Sequence, residues 1–138
     1  PVVLLVGPRA CGKTTTALRR ARSVVRLDRE AEAVAFRADP DSALARLPEP
    51  VLLDEWQTTP GILGAIKRAV DSKPVPNRFL ITGSVRADLE AQGWPLTGRA
   101  VRVAMYGLVG RELHGDASAE PVLDRLAARG VDALSVPN

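Results

Sequence analysis

Residues 7–14 read Gly-Pro-Arg-Ala-Cys-Gly-Lys-Thr, and this stretch decides the fold. The unbroken apolar run Pro1-Val-Val-Leu-Leu-Val6 precedes it, as is typical of a buried parallel strand. The segment that follows places Ala17, Leu18 and Ala21 on one face of a predicted helix. Strand, glycine-rich loop and helix, in that order, are the context in which the pattern G-x-x-x-x-G-K-[ST] binds phosphate groups.

The fixed residues of this loop each have a task on a nucleoside triphosphate. Gly7 and Gly12 let the backbone curl so that its N–H groups face the phosphates. Lys13 brings positive charge to the β- and γ-phosphates, Thr14 offers a hydroxyl to Mg²⁺, and Thr15 lies within reach of the α-phosphate. The predicted nucleotide-binding residues are Gly7, Pro8, Arg9, Ala10, Cys11, Gly12, Lys13, Thr14 and Thr15. The alternative is an ordinary turn between strand and helix.

A second motif is the apolar segment Pro50-Val-Leu-Leu-Asp-Glu55, which ends in two acids. The Mg²⁺ of such a site needs a carboxylate from a neighbouring strand end, and Asp54 has that position, with Thr14 as the other metal-binding residue. Glu55 follows the strand, where a base can deprotonate the attacking water. The alternative for Glu55 is the start of a solvated loop. For Trp56 we expect packing, and for Gln57 a relay of the γ-phosphate state to a partner.

A third apolar segment, Arg78-Phe-Leu-Ile-Thr-Gly-Ser84, also closes on polar residues. In ATPases with an adjacent Asp-Glu pair, the strand between the loop strand and the Asp-Glu strand ends in a polar sensor of the γ-phosphate. Ser84 is the first candidate and Thr82 the second. The alternative is that both form a turn with Gly83.

Periodicity and capping signals predict strands alternating with helices, and therefore a parallel sheet between helical layers. The predicted strands are 1–6, 24–27, 50–55, 78–84 and 100–105, and the predicted helices are 14–22, 30–37, 40–47, 60–71 and 122–129. Asp39 and Thr59 each precede a proline and are predicted helix N-caps.

The chain resembles the predicted AAA+-like ATPases of bacteria and archaea that carry a separate domain after the ATPase core. The matching stretches are VVLLVGPRACGKTTTA, LLDEWQTTPGILGAIKRAVD, RFLITGS, LTGRAVRVAMYGL and GREL. The resemblance implies a three-layer α/β P-loop NTPase fold, with a parallel sheet in the order 5-1-4-3-2, helices on both faces, and ATP and Mg²⁺ as cofactors. It implies an ATPase core over 1–113, and we expect 114–138 to begin a connector to a further region.

Arg99, in Leu96-Thr-Gly-Arg99, is the candidate for an arginine that stabilises transition-state charge, in cis or across a subunit interface. The resemblance favours this role, and the alternative is a surface arginine in a glycine turn. With lysine, base and sensor, Arg99 completes the predicted catalytic set of Lys13, Glu55, Ser84 and Arg99.

Composition sets limits on the class of protein. The 138 residues suit one domain, and the apolar runs have strand length, so we expect no membrane span. A single cysteine, Cys11, fits a reducing cytoplasm. The net charge of +3 is modest. The arginines between Arg19 and Arg26 form a solvated helix face or, alternatively, a polyanion-binding patch, so nucleic acid has little support as a partner.

Together these features predict Mg²⁺-dependent ATP binding and hydrolysis that drive or switch a partner domain or protein, with slow turnover by these residues alone. One alternative is a nucleotide-controlled interaction module with little or no hydrolysis. A P-loop phosphotransferase is another, and the sequence shows no arginine-rich lid for it. The prediction is compatible with a homo-oligomer.

Overall fold

The apolar run before the glycine-rich loop forms an interior strand of a five-stranded sheet. The computed structural model of the chain describes residues 1–59, 61–83, 94–109 and 113. The chain divides into two compact units, Pro1–Gly107 and Leu108–Asn138. All of the elements below belong to the first unit. Within the described residues, no helix combines the length and the apolar character that crossing a bilayer requires.

Strands and helices alternate along the first unit. In chain order the elements are β1 (Val2–Val6), α1 (Lys13–Leu18), β2 (Ser23–Arg26), α2 (Glu30–Ala38), α3 (Pro40–Ala45), β3 (Val51–Asp54), a short 3₁₀ helix (Trp56–Thr58), α4 (Ile62–Ser72), β4 (Phe79–Gly83) and β5 (Ala100–Ala104). Each strand agrees with its predicted range to within one residue at either end. The helix predicted over 14–22 is shorter, because it ends at Leu18. The helix predicted over 122–129 lies outside the described residues.

All of the strand pairs are parallel, and the strand order is β2-β3-β4-β1-β5. This is the predicted order 5-1-4-3-2, so the α/β fold of a P-loop NTPase is confirmed. The register pairs Val6 with Gly83, and Thr82 with Asp54. Since parallel strands end at the same edge, the carboxyl ends of β1, β3 and β4 meet there. This carboxyl edge carries the candidate site.

Alternate residues of the central strands pack into two separate cores, one on each face of the sheet. Val2, Leu4 and Val6 of β1 face the larger core, which α2, α3 and α4 cover. Leu5 faces the smaller core, together with Ala17 of α1. The sheet therefore has helices on both faces, as the three-layer prediction requires. Edge strand β5 remains largely exposed.

The two predicted helix caps have different outcomes. Asp39 caps α3, because its carboxylate accepts a hydrogen bond from the N–H of Ser42 at 3.1 Å and Pro40 begins the helix. Thr59 does not cap α4, which begins at Ile62 with Gly61 as its N-cap. In the part of the chain that the structure describes, the Thr59 hydroxyl is instead buried without a hydrogen-bond partner. The 3₁₀ helix that precedes Thr59 moves the start of α4 further along the chain.

A buried arginine, Arg78, ties the amino edge of the sheet to the end of α4. Its guanidinium donates two hydrogen bonds to the Glu49 carboxylate, at 2.9 and 2.7 Å. It also donates to the backbone carbonyls of Ala69 and Lys73, at 2.5 and 2.7 Å. These are carbonyls at the carboxyl end of a helix, which favours a cation there. The pairing with Arg78 lowers the pKa of Glu49 below its usual value.

We expect Arg78→Met to lower the free energy of unfolding by about 1.5–3 kcal/mol, since it leaves Glu49 and two helix carbonyls without their donor. Arg68→Met, which breaks the exposed ion pair with Asp41, is the matched control and should have a much smaller effect. Urea denaturation followed by circular dichroism measures both.

The ion pair between Arg78 and Glu49 also makes the free energy of unfolding depend on pH. Because the folded-state pKa of Glu49 is lowered, its contribution is present above the unfolded-state pKa and is lost as the pH falls through the folded-state value. Glu49→Gln should therefore reduce the loss of stability on acidification below about pH 4. An unchanged acid dependence in Glu49→Gln would contradict this role.

Candidate active site

The loop after β1 has the backbone conformation that its glycines predict. Gly7 and Gly12 have φ angles of 155° and 89°, and Ala10 between them also has a positive φ, 60°. A Cβ atom on Gly7 would lie 2.1 Å from the carbonyl oxygen of Met105, just past β5. The Met105 N–H in turn donates to the Val6 carbonyl at 2.7 Å. Gly7 is therefore required for close packing between the start of the loop and β5.

The Lys13 ammonium lies within this loop. Lys13 is 6% exposed, and its Nζ donates to the carbonyl oxygens of Gly7 at 2.9 Å and Pro8 at 2.5 Å. The Cys11 sulfur is 3.8 Å away. Within the described part of the chain Lys13 has no carboxylate partner. A buried cation without an anionic partner is unfavourable, so this arrangement favours the binding of an anion at the loop.

Asp54, at the end of β3, joins the loop to the neighbouring strand. Its Oδ1 accepts a hydrogen bond of 2.9 Å from the Thr14 hydroxyl and a second one from the Thr82 hydroxyl of β4. Asp54 is 8% exposed. Thr14 and Asp54 thus bring a hydroxyl and a carboxylate oxygen together, and oxygen donors of this kind suit Mg²⁺, which also retains water and phosphate ligands. The residues predicted to bind the metal therefore fit it.

Glu55 lies directly beyond β3 in a left-handed backbone conformation, with φ 56° and ψ 47°. Such a conformation costs a residue other than glycine about 1–2 kcal/mol, and it often marks a functional position. Its Oε2 accepts a hydrogen bond from Nε2 of Gln57. Trp56 between them is buried, as expected for a packing residue.

The loop residues and Glu55 line one open cavity of about 560 Å³. It is lined by Arg9, Ala10, Gly12, Lys13, Thr14, Thr15, Asp28, Glu55, Gln57 and Thr58. The cavity is lined by the cationic groups of Arg9 and Lys13, which belong to the loop, and by the carboxylates of Asp28 and Glu55. This distribution suits a triphosphate that is bound through the loop and faces a base at its far end.

Two of the lining residues, Asp28 and Thr58, are not in the predicted set. Asp28 lies just past the carboxyl end of β2, and the rule that parallel strands end at one edge would have identified it. Thr58 donates its hydroxyl to the carbonyls of Leu27 and Glu55, at 2.8 and 2.9 Å. It thereby joins the end of β2 to the segment after β3. Ser84, the first sensor candidate, lies outside the described residues.

Arg99 is not at this site, and its predicted role in cis is wrong. It precedes β5, and its carbonyl accepts a hydrogen bond from the N–H of Val2 at 3.2 Å, so it lies at the amino edge of the sheet. The five residues of β1 separate it from the loop, a span of about 16 Å at about 3.3 Å per residue.

At this edge the Arg99 guanidinium pairs with Asp71 of α4, at 2.5 and 3.1 Å. Arg99 and then Lys67 lower the pKa of Asp71 to about 2 by hydrogen bonding. The contact joins α4 to β5. A role of Arg99 in trans, from a neighbouring subunit, stays a prediction.

Comparison with known proteins agrees with this geometry. Residues 1–114 match the family model described as an AAA domain. The chain is also 38% identical, over 134 residues, to an uncharacterized protein of Mycobacterium bovis and to one of Mycobacterium tuberculosis. The match covers 94% of this chain and 29% of each relative, so the chain spans less than a third of their length. The family match indicates a nucleotide-binding, ATPase-like domain.

Substitution of Gly7 tests the packing of the loop. We expect Gly7→Ala to destabilise the protein by about 1–3 kcal/mol, because the added methyl meets a backbone carbonyl that cannot move without its strand. Gly64→Ala is the matched control. Gly64 belongs to α4, and a Cβ atom added to it would lie 3.4 Å from the end of the flexible Arg68 side chain. This control variant should stabilise the protein by about 0.5–1 kcal/mol. Equal melting temperatures for the two variants would contradict this packing.

Proposed function

Since the chain belongs to the AAA domain family, we propose that it is an Mg²⁺-dependent ATPase that binds ATP through the loop after β1. The observation that carries this proposal is the contact between the Thr14 hydroxyl and the Asp54 carboxylate, at 2.9 Å. It joins the loop to the strand that bears the candidate base. In this proposal Thr14 and Asp54 hold Mg²⁺, which neutralises phosphate charge when it is bound.

The loop residues bind and orient the substrate. The buried ammonium of Lys13 offsets the negative charge that builds up on the β- and γ-phosphates. Thr15 and Arg9 line the same cavity and contact the phosphates from the open side. Positioning of this kind, rather than covalent chemistry, accounts for most of the catalysis in phosphoryl transfer.

Glu55 is the proposed base. It lines the same cavity as the loop residues. In this proposal its carboxylate accepts a proton from water as that water attacks the γ-phosphorus in line. The bond between the γ-phosphorus and the bridging oxygen breaks, which releases ADP and inorganic phosphate. Thr82 contacts Asp54 directly, and this supports β4 as the strand that registers the state of the phosphates. Ser84 stays the first candidate for the sensor itself.

Turnover by these residues alone is proposed to be slow. The cationic residues that line the cavity, among those described, are Arg9 and Lys13. An arginine supplied from elsewhere raises the rate of comparable NTPases by about 10³–10⁵-fold. Arg99 of a second copy is one source of such a group, and a homo-oligomer would supply it.

ATP turnover is proposed to drive or switch a partner domain or protein. The support is that the two mycobacterial relatives extend well beyond the matched region, which covers 29% of the length of each. A cytoplasmic location is proposed because Cys11, the single cysteine, is a free thiol in the loop itself.

The two acids should separate binding from chemistry. Glu55→Gln keeps the size of the side chain but removes the base, so Mg-ATP should still bind while hydrolysis falls by about 10²-fold or more. Asp54→Asn keeps an acceptor for Thr14 but removes the charge, so it should instead weaken the Mg²⁺ dependence of ATP binding. Calorimetry and phosphate release measure the two effects.

The same assay distinguishes the alternatives. Tight ATP binding with no phosphate release and no phosphorylated product would favour a nucleotide-controlled interaction module. A phosphorylated acceptor would favour a phosphotransferase. Hydrolysis at the wild-type rate in Glu55→Gln would contradict the role of Glu55.

A further inference from the structure

Gln57 connects the candidate base to the end of β4. Its Nε2 donates to Oε2 of Glu55. This contact fixes the orientation of the amide, because only the NH₂ group can donate to a carboxylate. The amide oxygen therefore points away from Glu55, and it is buried without a hydrogen-bond partner among the described residues.

Gly83, the last residue of β4, leaves the space that this amide occupies. A Cβ atom on Gly83 would lie 2.6 Å from Oε1 of Gln57 and 2.9 Å from Nε1 of Trp56. Trp56 is 9% exposed, and a buried indole ring cannot yield as a side-chain end can. The backbone of β4 therefore closes one side of the Gln57 site, and the Glu55 carboxylate is on the other side.

We propose that Gln57 is a positioning residue that orients the Glu55 carboxylate toward the attacking water. This inference rests on the proposed role of Glu55 as the base. The backbone of Glu55 already has the constrained left-handed conformation, so an additional contact at the carboxylate selects its side-chain orientation. An amide suits this task because it donates a hydrogen bond without the positive charge of lysine or arginine, which would make the carboxylate a weaker base.

Two substitutions of Gln57 test the hydrogen bond by single-turnover ATP hydrolysis. Gln57→Ala removes the donor, and the rate should fall by about ten- to hundredfold, while the affinity for Mg-ATP changes by less than about threefold. Gln57→Glu keeps the size of the side chain but replaces the NH₂ donor with a carboxylate oxygen, which can only accept when it is ionised. Its rate should therefore be as low as that of Gln57→Ala.

Gly83→Ala provides a second route to the same contact. The added methyl displaces the amide while Gln57 itself is unchanged, so the hydrolysis rate should fall and the affinity for Mg-ATP should not. Gly64→Ala, in α4 away from the cavity, is the control and should keep the wild-type rate. Because Gly83→Ala leaves Gln57 in place, the test does not depend on whether Gln57→Ala folds.

The outcomes distinguish this inference from the assignment of the base. Wild-type rates in Gln57→Ala and Gly83→Ala, with hydrolysis lost in Glu55→Gln, would overturn the role of Gln57 alone. A wild-type rate in Gln57→Glu would also overturn it, because this variant keeps the size of the side chain and loses only the donor. Wild-type hydrolysis in Glu55→Gln would overturn the base, and the inference with it.

Discussion

The Asp54 carboxylate accepts hydrogen bonds from the hydroxyls of Thr14 and Thr82. Through this one acceptor, the start of α1, the end of β3 and the end of β4 have a fixed relation to each other. The contact exists because β1, β4 and β3 are adjacent and parallel, with ends in register. The site therefore depends on a property of the whole sheet, and the buried apolar residues of both cores contribute to it indirectly.

Electrostatics divide the sheet into two edges with different tasks. At the amino edge each arginine is paired with a carboxylate, Arg78 with Glu49 and Arg99 with Asp71. The pair of Arg99 with Asp71, and the hydrogen bonds of Arg78 to the carbonyls of Ala69 and Lys73, tie α4 to the strands. At the carboxyl edge the Lys13 ammonium is buried against carbonyl oxygens and a sulfur. A cation placed in this way is matched to an anionic ligand rather than to a structural partner.

Much of this arrangement could be predicted from the sequence because it depends on local patterns. The conformation of the loop and the cap at Asp39 follow from residue type and short spacing. The contact of Thr14 with Asp54 follows from their position at the carboxyl edge of the sheet, where Thr14 comes after the loop that follows β1 and Asp54 ends β3. The strand order came from a family resemblance and is confirmed. The placement of Arg99 at the site was wrong, because being next to a strand in sequence does not tell at which edge of the sheet a residue lies. That depends on whether the residue precedes or follows the strand. A residue before a parallel strand lies at the edge opposite the site.

Other features depend on side-chain contacts between distant segments, which no local pattern encodes. The contact of Gln57 with Gly83 requires that the 3₁₀ helix after β3 lie against the end of β4. The failure of Thr59 as a cap has the same origin, because this 3₁₀ helix delays the start of α4. Such contacts are determined by tertiary packing, and packing overrides local preference.

Calorimetric titration of the protein with Mg-ATP tests phosphate binding by the loop. We expect measurable binding by the wild type and a strong loss of affinity in Lys13→Ala, because this change removes the buried cation of the loop. Arg9→Ala, at an exposed position on the same cavity, should lose less. Equal affinities for the wild type and Lys13→Ala would contradict the claim that this loop binds the phosphates.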